Sequence, residues 1–420
     1  MHDRRGFNVL LTLFALTMLF GVPGVLDRVL EEHRFSGMTQ NVVWGLWAAA
    51  YTFFSGASAG AAVVASLATV FGYRRFEPLA RFALLIAFVA LTTAMLFIVA
   101  DLGRAERALG VALHANPQSV MAWMVYLYTS FIVLVVLQLV IMLRGEWARI
   151  ATRGGRIARL LSWGTSHQGA SETRRQAILR ALASVCVVFA ISLPAGVGSL
   201  FAVLRARPYW NSGALPISAT MSALASGGAM VIFLAITLIH GGDAFRRAIH
   251  TLGRMVGAVV AIEAIVMMSE LFVIARTRAP HEIQVLDTIA FGPHAWVFWI
   301  GQIVCGTLVP LALLFRRQAS LRVTGLAAFF VLAGVFSFRL NLVIPQLAQP
   351  AFPEFTGGLA SARMAYDYMP TLPEWSFLLF GFGLAGTLFL AGFRLLPIIP
   401  HHAALAFEAA KAIESRRVAS

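Results

Sequence analysis

Glu263 and Glu270 stand inside the apolar run AIEAIVMMSELFV, where Ser269 is the one other polar side chain. Ionised groups are expensive in hydrocarbon, so an acid retained there is a functional candidate by default. Seven residues apart on a helix, the two share a face and lie about 10 Å apart along the axis. Direct proton exchange over that span is excluded. A relay needs water or a hydroxyl such as Ser269 between them, and a neutral, hydrogen-bonded structural pair is the alternative. A second group of polar residues runs through Asp101, Leu102, Gly103 and Arg104, then HANPQS (114–119), then Trp123, Tyr126 and Tyr128. An acid at a helix C-terminus is disfavoured by the macrodipole, so Asp101 is expected to have a partner, with Arg104 the nearest cation in sequence. A structural ion pair and a proton-handling site both fit this spacing.

Haem would need axial ligands inside a helical bundle. His240 and His294 fall at the ends of apolar runs and the other histidines in loops or tails. Cys186 and Cys305 lie singly in apolar runs, with no Cys-x-x-Cys pair. We therefore expect no haem, no iron–sulfur cluster and no metal site in this chain.

The elements that must position these residues are apolar throughout. Of 420 residues, 59% are hydrophobic and 12% charged, against about a quarter charged in an ordinary soluble domain. Runs of roughly 20 apolar residues, each long enough to cross a bilayer as a helix, recur near 7–26, 42–72, 81–101, 119–143, 180–204, 216–240, 254–275, 293–315, 322–342 and 374–398. The expected fold is an all-α integral membrane protein of about ten transmembrane helices, with no separate soluble domain. The run from Phe7 to Leu26 follows Arg4 and Arg5 but is long for a leader and ends in no small-x-small site, so it reads as a retained first helix.

The net charge of +14 would suggest nucleic acid in a soluble protein. Here it sits in short connections and acts as a topology signal. The connection from Arg144 to Arg180, with Arg149, Arg153, Arg156, Arg159, Arg174 and Arg175, is the richest, which places it and both termini in the cytoplasm. Trp44, Trp47, Trp123, Trp210, Trp296, Trp299 and Trp375 then fall near the outer ends of helices, as an interfacial belt requires. The long outer connection from Ile344 to Pro373 is rich in Pro, Gly and aromatics, Tyr366 and Tyr368 among them. It reads either as a docking surface or as a loop folded back over its own helix ends.

VVWGLWAAAYTFFSGASAGAAVVASLATVFG (42–72), DLGRAERAL, NPQSVMAWMVYLYT, GSLFAVLRARPYWNSGALP, SALASG, FRLNLVIPQ and YMPTLPEW occur in this order from Trp44 to Arg394. Together they resemble the polysulfide reductase membrane subunit family (NrfD/PsrC type), in particular its ten-helix members. The resemblance implies a haem-free membrane anchor that passes electrons between the quinone pool, menaquinone or ubiquinone, and a docked periplasmic iron–sulfur subunit. A separate catalytic oxidoreductase subunit, of molybdopterin or nickel–iron type, would carry the terminal chemistry, in a bacterial inner membrane. It further implies two four-helix bundles, 42–204 with the quinone site and 216–342, flanked by a first helix at 7–26 and a last at 374–398, with a cytoplasmic tail at 399–420. Some relatives carry a His in the second helix or ahead of the Gly-Ser-Leu-Phe stretch; this chain has Tyr51 and ISLPAGVGSLF (191–201) there.

Helix rise places Tyr51 about 13 Å below Val42, and Tyr126 and Tyr128 about 10 to 14 Å below Ser119. Tyr51, Asp101, Arg104, Trp123, Tyr126 and Tyr128 are therefore the expected quinone-binding residues. Asp101, Glu263 and Glu270 are the expected proton relay. Tyr366, Tyr368 and Arg207 are the expected partner contacts. A secondary transporter, the alternative, would also show many helices and buried acids, and a pure scaffold for a periplasmic enzyme has the same outline.

Overall fold

A computed structural model describes residues 4–114, 116–151, 169–207, 209–239, 241–277, 279–316, 319–350 and 364–398. Among them 10 helices are long and apolar enough to cross a membrane. In chain order these are α1 (Arg4–Leu30), α2 (Leu46–Thr69), α3 (Glu77–Asp101), α4 (Val120–Ala151), α5 (Gly169–Ala202), α6 (Leu215–Leu238), α7 (Asp243–Thr277), α8 (Val297–Leu308 continued by Val309–Leu314), α9 (Leu321–Leu347) and α10 (Leu372–Leu395). All ten expected runs are helices, and no strand forms among the described residues. The chain is a multi-pass integral membrane protein.

Start signals are local. Proline occupies the first turn of α3, α6 and α10, where its missing N–H is no loss. The Ser320 hydroxyl accepts from Val323 N to open α9, and Thr371 with Glu374 forms a capping box that opens α10. The largest departures from the expected boundaries are α5 and α7, which start at Gly169 and Asp243 rather than near 180 and 254. Arg246 and Arg247 are exposed in the added turns of α7, where long charged side chains are tolerated.

Helix α2 lies at the centre, packing on α3, α5, α6 and α9. It meets α6 through glycine: a Cβ on Gly60 would overlap the Ala223 carbonyl oxygen, and one on Gly227 would overlap the backbone of Gly60 and Ala61. Small residues that let backbones touch are the usual means of helix association where lipid removes the hydrophobic drive. Helices α4 and α5 pair beside α2 and α3, while α7, α8 and α9 gather on the other side of α6. The two outermost helices in sequence, α1 and α10, pair with each other, and α10 leans on α3.

Of the tryptophans expected at the membrane surface, Trp123, Trp296, Trp299 and Trp375 are exposed. Trp47 and Trp210 are not: they are 3% and 1% exposed. Trp210 donates its indole N–H to Leu342 O at 2.7 Å and stacks with Phe201 and Trp44, while Trp47 packs on Phe377 and His33. Three of the seven belt residues thus fasten the helix ends to one another.

Candidate functional site

Ten crossings bring the ends of the odd-numbered helices and the starts of the even-numbered ones to one face, called here the odd face; it is the outer face in the charge-derived topology. The candidate residues lie in the half of the molecule nearest to it.

Tyr51 on α2 lies within electrostatic reach of Tyr128 on α4 and of Asp101 at the end of α3. Tyr128 is 6% exposed. Its hydroxyl lies beside Ser55, whose own hydroxyl donates to Thr52 O at 3.2 Å, and the phenol completes no hydrogen bond. Asp101 Oδ1 is likewise buried without a partner. The structure thus joins three of the six expected quinone-site residues. It sets the other three apart: Trp123 and Tyr126 stack edge-on to each other and are 57% and 45% exposed, and Arg104 is exposed.

The expected Asp101–Arg104 pair does not form. The charges that face Asp101 are Arg28 of α1 and Glu374 of α10. Arg28 donates to Ala100 O at 2.6 Å and Leu102 O at 2.5 Å, capping the C-terminal carbonyls of α3 as a cation should. Arg28 acts on Asp101 only through its charge, while its hydrogen bonds go to the backbone at the end of α3. The same junction holds His33, whose Nδ1 is buried and unpartnered. Burial, and secondarily Arg28, push its pKa below the ordinary imidazole value. Sequence reasoning leaves His33 in a loop; only the packing of the residues after α1 against Trp47 reveals it.

On the far side of α6, Glu263 and Glu270 line one cavity of about 330 Å³ between α7, α8 and α9. Its lining runs from Tyr209, Asn211, Ser212 and Glu282 toward the odd face to Gly306 and Gly334. Ser212 donates to Glu270 Oε1 at 2.9 Å, and Asn341 Nδ2 donates to Gln302 Oε1 at 3.0 Å across the cavity wall. Ser269 lines the same space. Burial near Glu270 pushes the Tyr209 phenol upward. The α8 wall is π-helical from Val297 to Leu308. Long π stretches are rare and concentrate at functional sites; here the widened turn brings Gly306 against Gly334, where a Cβ on either would strike the other backbone.

Between the two groups lies Arg339 of α9, which sequence reasoning passes over as part of a motif. It is 1% exposed. Its Nη2 donates to the Ser222 hydroxyl at 2.6 Å and to Ala219 O at 3.3 Å. The groups facing its charge are Glu263, Tyr51 and Tyr128. A lone Arg within an apolar run is the available signal.

The partner-contact residues separate. Tyr368 is turned inward, 8% exposed: its hydroxyl donates to Glu374 Oε1 at 2.7 Å and accepts from Leu46 N at 2.7 Å, and burial beside Glu374 raises its pKa. With Thr39 donating to Ala365 O and Asn41 to Met364 O, the described end of this connection is folded back over the helix ends. Arg207, partly buried, caps α9 by donating to Gln346 O and Gln349 O; Tyr366 is partly exposed. Phe352, Pro353, Phe355, Gly357 and Gly358, the tail 399–420, and Arg153, Arg156 and Arg159 lie outside the described residues. Among the described residues no group of His, Cys, Asp and Glu is arranged to hold a metal.

Ten spanning helices, gathered around a central one packed through glycine, define a polytopic α-helical membrane protein. The chain belongs to the polysulphide reductase, NrfD family, whose sequence profile matches residues 34–351. It is 30% identical over 401 residues to one of the subunits of the selenate reductase of Mesobacillus selenatarsenatis, covering 92% of this chain and 93% of that one. It is 23% identical over 414 residues to the Hdr-like menaquinol oxidoreductase integral membrane subunit of Archaeoglobus fulgidus, covering 94% of each. It is 25% identical over 286 residues to protein NrfD of Escherichia coli, covering 65% of this chain and 85% of that one.

Proposed function

We propose that this chain is the quinone-reactive membrane anchor of an oxidoreductase complex in a bacterial plasma membrane. It passes electrons between menaquinone or ubiquinone in the bilayer and an iron–sulfur subunit docked on the odd face, while a further subunit of molybdopterin or nickel–iron type handles the terminal substrate. The observation that carries this reading is the near full-length likeness to a selenate reductase subunit and to the integral membrane subunit of a menaquinol oxidoreductase. A transporter would not explain it.

The quinone site is the Tyr51, Tyr128 and Asp101 group. Quinone carbonyls need hydrogen-bond donors in an otherwise apolar setting, and two phenols, one of them unsatisfied, lie within electrostatic reach of each other. Oxidising a quinol releases a proton with each electron: electrons go to the docked one-electron centre, and Asp101, with a free carboxylate oxygen, accepts the proton. Trp123, Tyr126 and Arg104 stand at the rim. The cavity holding Glu263, Ser269 and Glu270 supplies the hydroxyl and the room for water that a relay between those two acids requires. Tyr366 and Arg207 remain the docking contacts.

Tyr51→Phe and Asp101→Asn, each in the assembled complex, should lower quinol-coupled electron transfer by about 100-fold, while an artificial dye still reaches the partner enzyme at the normal rate. Normal quinone kinetics in both variants would place the pocket elsewhere.

A further inference from the structure

Arg339 is a buried cation whose donors are largely unused. Two of its guanidinium nitrogens, Nε and Nη1, have no hydrogen-bond partner, and among the described residues it forms no ion pair with any carboxylate. Beyond the Ser222 and Ala219 bonds through Nη2, its remaining contact is a cation–π approach of 5.1 Å to the ring of Phe338. A charge in low dielectric with unfilled donors is strongly unfavourable. The packing nevertheless makes room for it: Gly56 of α2 and Ala219 and Ser222 of α6 are small where the guanidinium lies.

Position supplies the acceptor. Arg339 stands about 12 Å from the odd end of α9, Tyr128 about 12 Å from the odd end of α4 and Tyr51 about 8 Å from the odd end of α2, at 1.5 Å per residue. The charge of Arg339 reaches both phenols, and Tyr128 acts on Tyr51. The unfilled phenol of Tyr128 and the unfilled edge of Arg339 therefore lie at one depth, near enough for the cation to act on the phenol. We propose that Arg339 is the third donor of the quinone site, directing its free N–H groups at the quinone oxygen and stabilising the negative charge that oxygen carries once it has lost its proton or gained an electron. This rests on the quinone reading of Tyr51 and Tyr128 and adds to it the group that favours the anionic state. Charge-assisted bonds to an oxyanion are shorter and stronger than those to a neutral carbonyl, so the residue acts on the reaction more than on quinone affinity.

Glu263 also faces this cation, so a purely neutralising role for Arg339 has to be separated from a quinone-binding one. The test uses the whole complex carrying Arg339→Gln, Arg339→Lys, and Arg339→Gln with Glu263→Gln. It measures quinol turnover, dye-linked activity of the partner enzyme, and fluorescence titration with the anionic quinol analogue 2-heptyl-4-hydroxyquinoline N-oxide. Arg339→Gln should lower quinol kcat about 100-fold with a smaller change in KM, weaken the analogue at least 10-fold, and leave the dye reaction intact. The Lys variant should recover part of both losses, and the double variant should recover neither. Restoration of analogue binding in the double variant, or unchanged analogue binding in Arg339→Gln while Tyr51→Phe impairs quinol turnover, overturns the role of Arg339 and spares the quinone site. If Tyr51→Phe and Arg339→Gln both leave quinol kinetics normal, the site itself falls and this assignment with it. Should the Gln variant fail to assemble, analogue binding by Arg339→Lys decides: affinity equal to wild type overturns the proposal, because an ammonium cannot reproduce a guanidinium's directed N–H pair.

Discussion

His33 shows how a side chain acquires chemistry from neighbours far away in sequence. Burial and Arg28 hold its pKa below the ordinary imidazole value, so the folded protein binds this proton less readily than the unfolded chain. Between those two pKa values the unfolded state carries more protons, and stability rises with pH. The stabilisation is complete above the unfolded value of about 6.5 and declines as pH falls below it. Melting curves of the detergent-solubilised protein should show this decline, and His33→Gln should flatten it; an unaltered pH profile would mean that His33 is solvated. For the paired acids, Glu263→Gln and Glu270→Gln should each slow coupled turnover while assembly persists. Unchanged activity in both variants would leave them as a neutral structural pair.

The residue types are legible in sequence and their partners are not. Asp101 is recognisable as needing a compensating charge because of where its helix ends, but the nearby charge of Arg28 emerges only once the chain is folded. Tyr368 reads as a surface aromatic in a proline- and glycine-rich connection, whereas the capping box at Thr371 fixes Glu374 to receive it.

At the scale of elements, the apolar runs give all ten helices because a membrane span needs about 20 apolar residues whatever its neighbours are. What escapes is the set of charged ends, as in α7, and the π-helical wall of α8, which no periodicity of VFWIGQIVCGTL announces. The α2–α6 crossing is the most constrained contact. Gly60→Ala should lower stability by about 1–3 kcal/mol, since even a methyl group must separate two backbones. Gly110→Ala, where a Cβ meets open space, is the control. Equal melting temperatures for the two variants would show that the crossing yields.

At the scale of the whole molecule, the charge-derived topology predicts that a cysteine placed between Arg144 and Arg180 resists an impermeant thiol reagent in intact cells. Efficient labelling from outside would invert the protein and move the docking face with it. The purified protein should likewise show no haem absorption band, because the sequence sets no pair of histidines deep in its apolar runs.

The pairing of α1 with α10 bears on how the protein is made. Gly24 N donates to the Ser376 hydroxyl, 352 positions further along the chain, and at about 5–20 residues per second a ribosome needs roughly 20–70 s to supply the second half of that contact. For that interval α1 resides in the bilayer with lipid in place of its partner, and its nearly unbroken apolar surface suits it to wait. Quality control could thus read completion of the chain at a single place: a transcript stopped before Leu372 leaves an orphaned first helix, recognisable to a membrane protease however well the rest has folded.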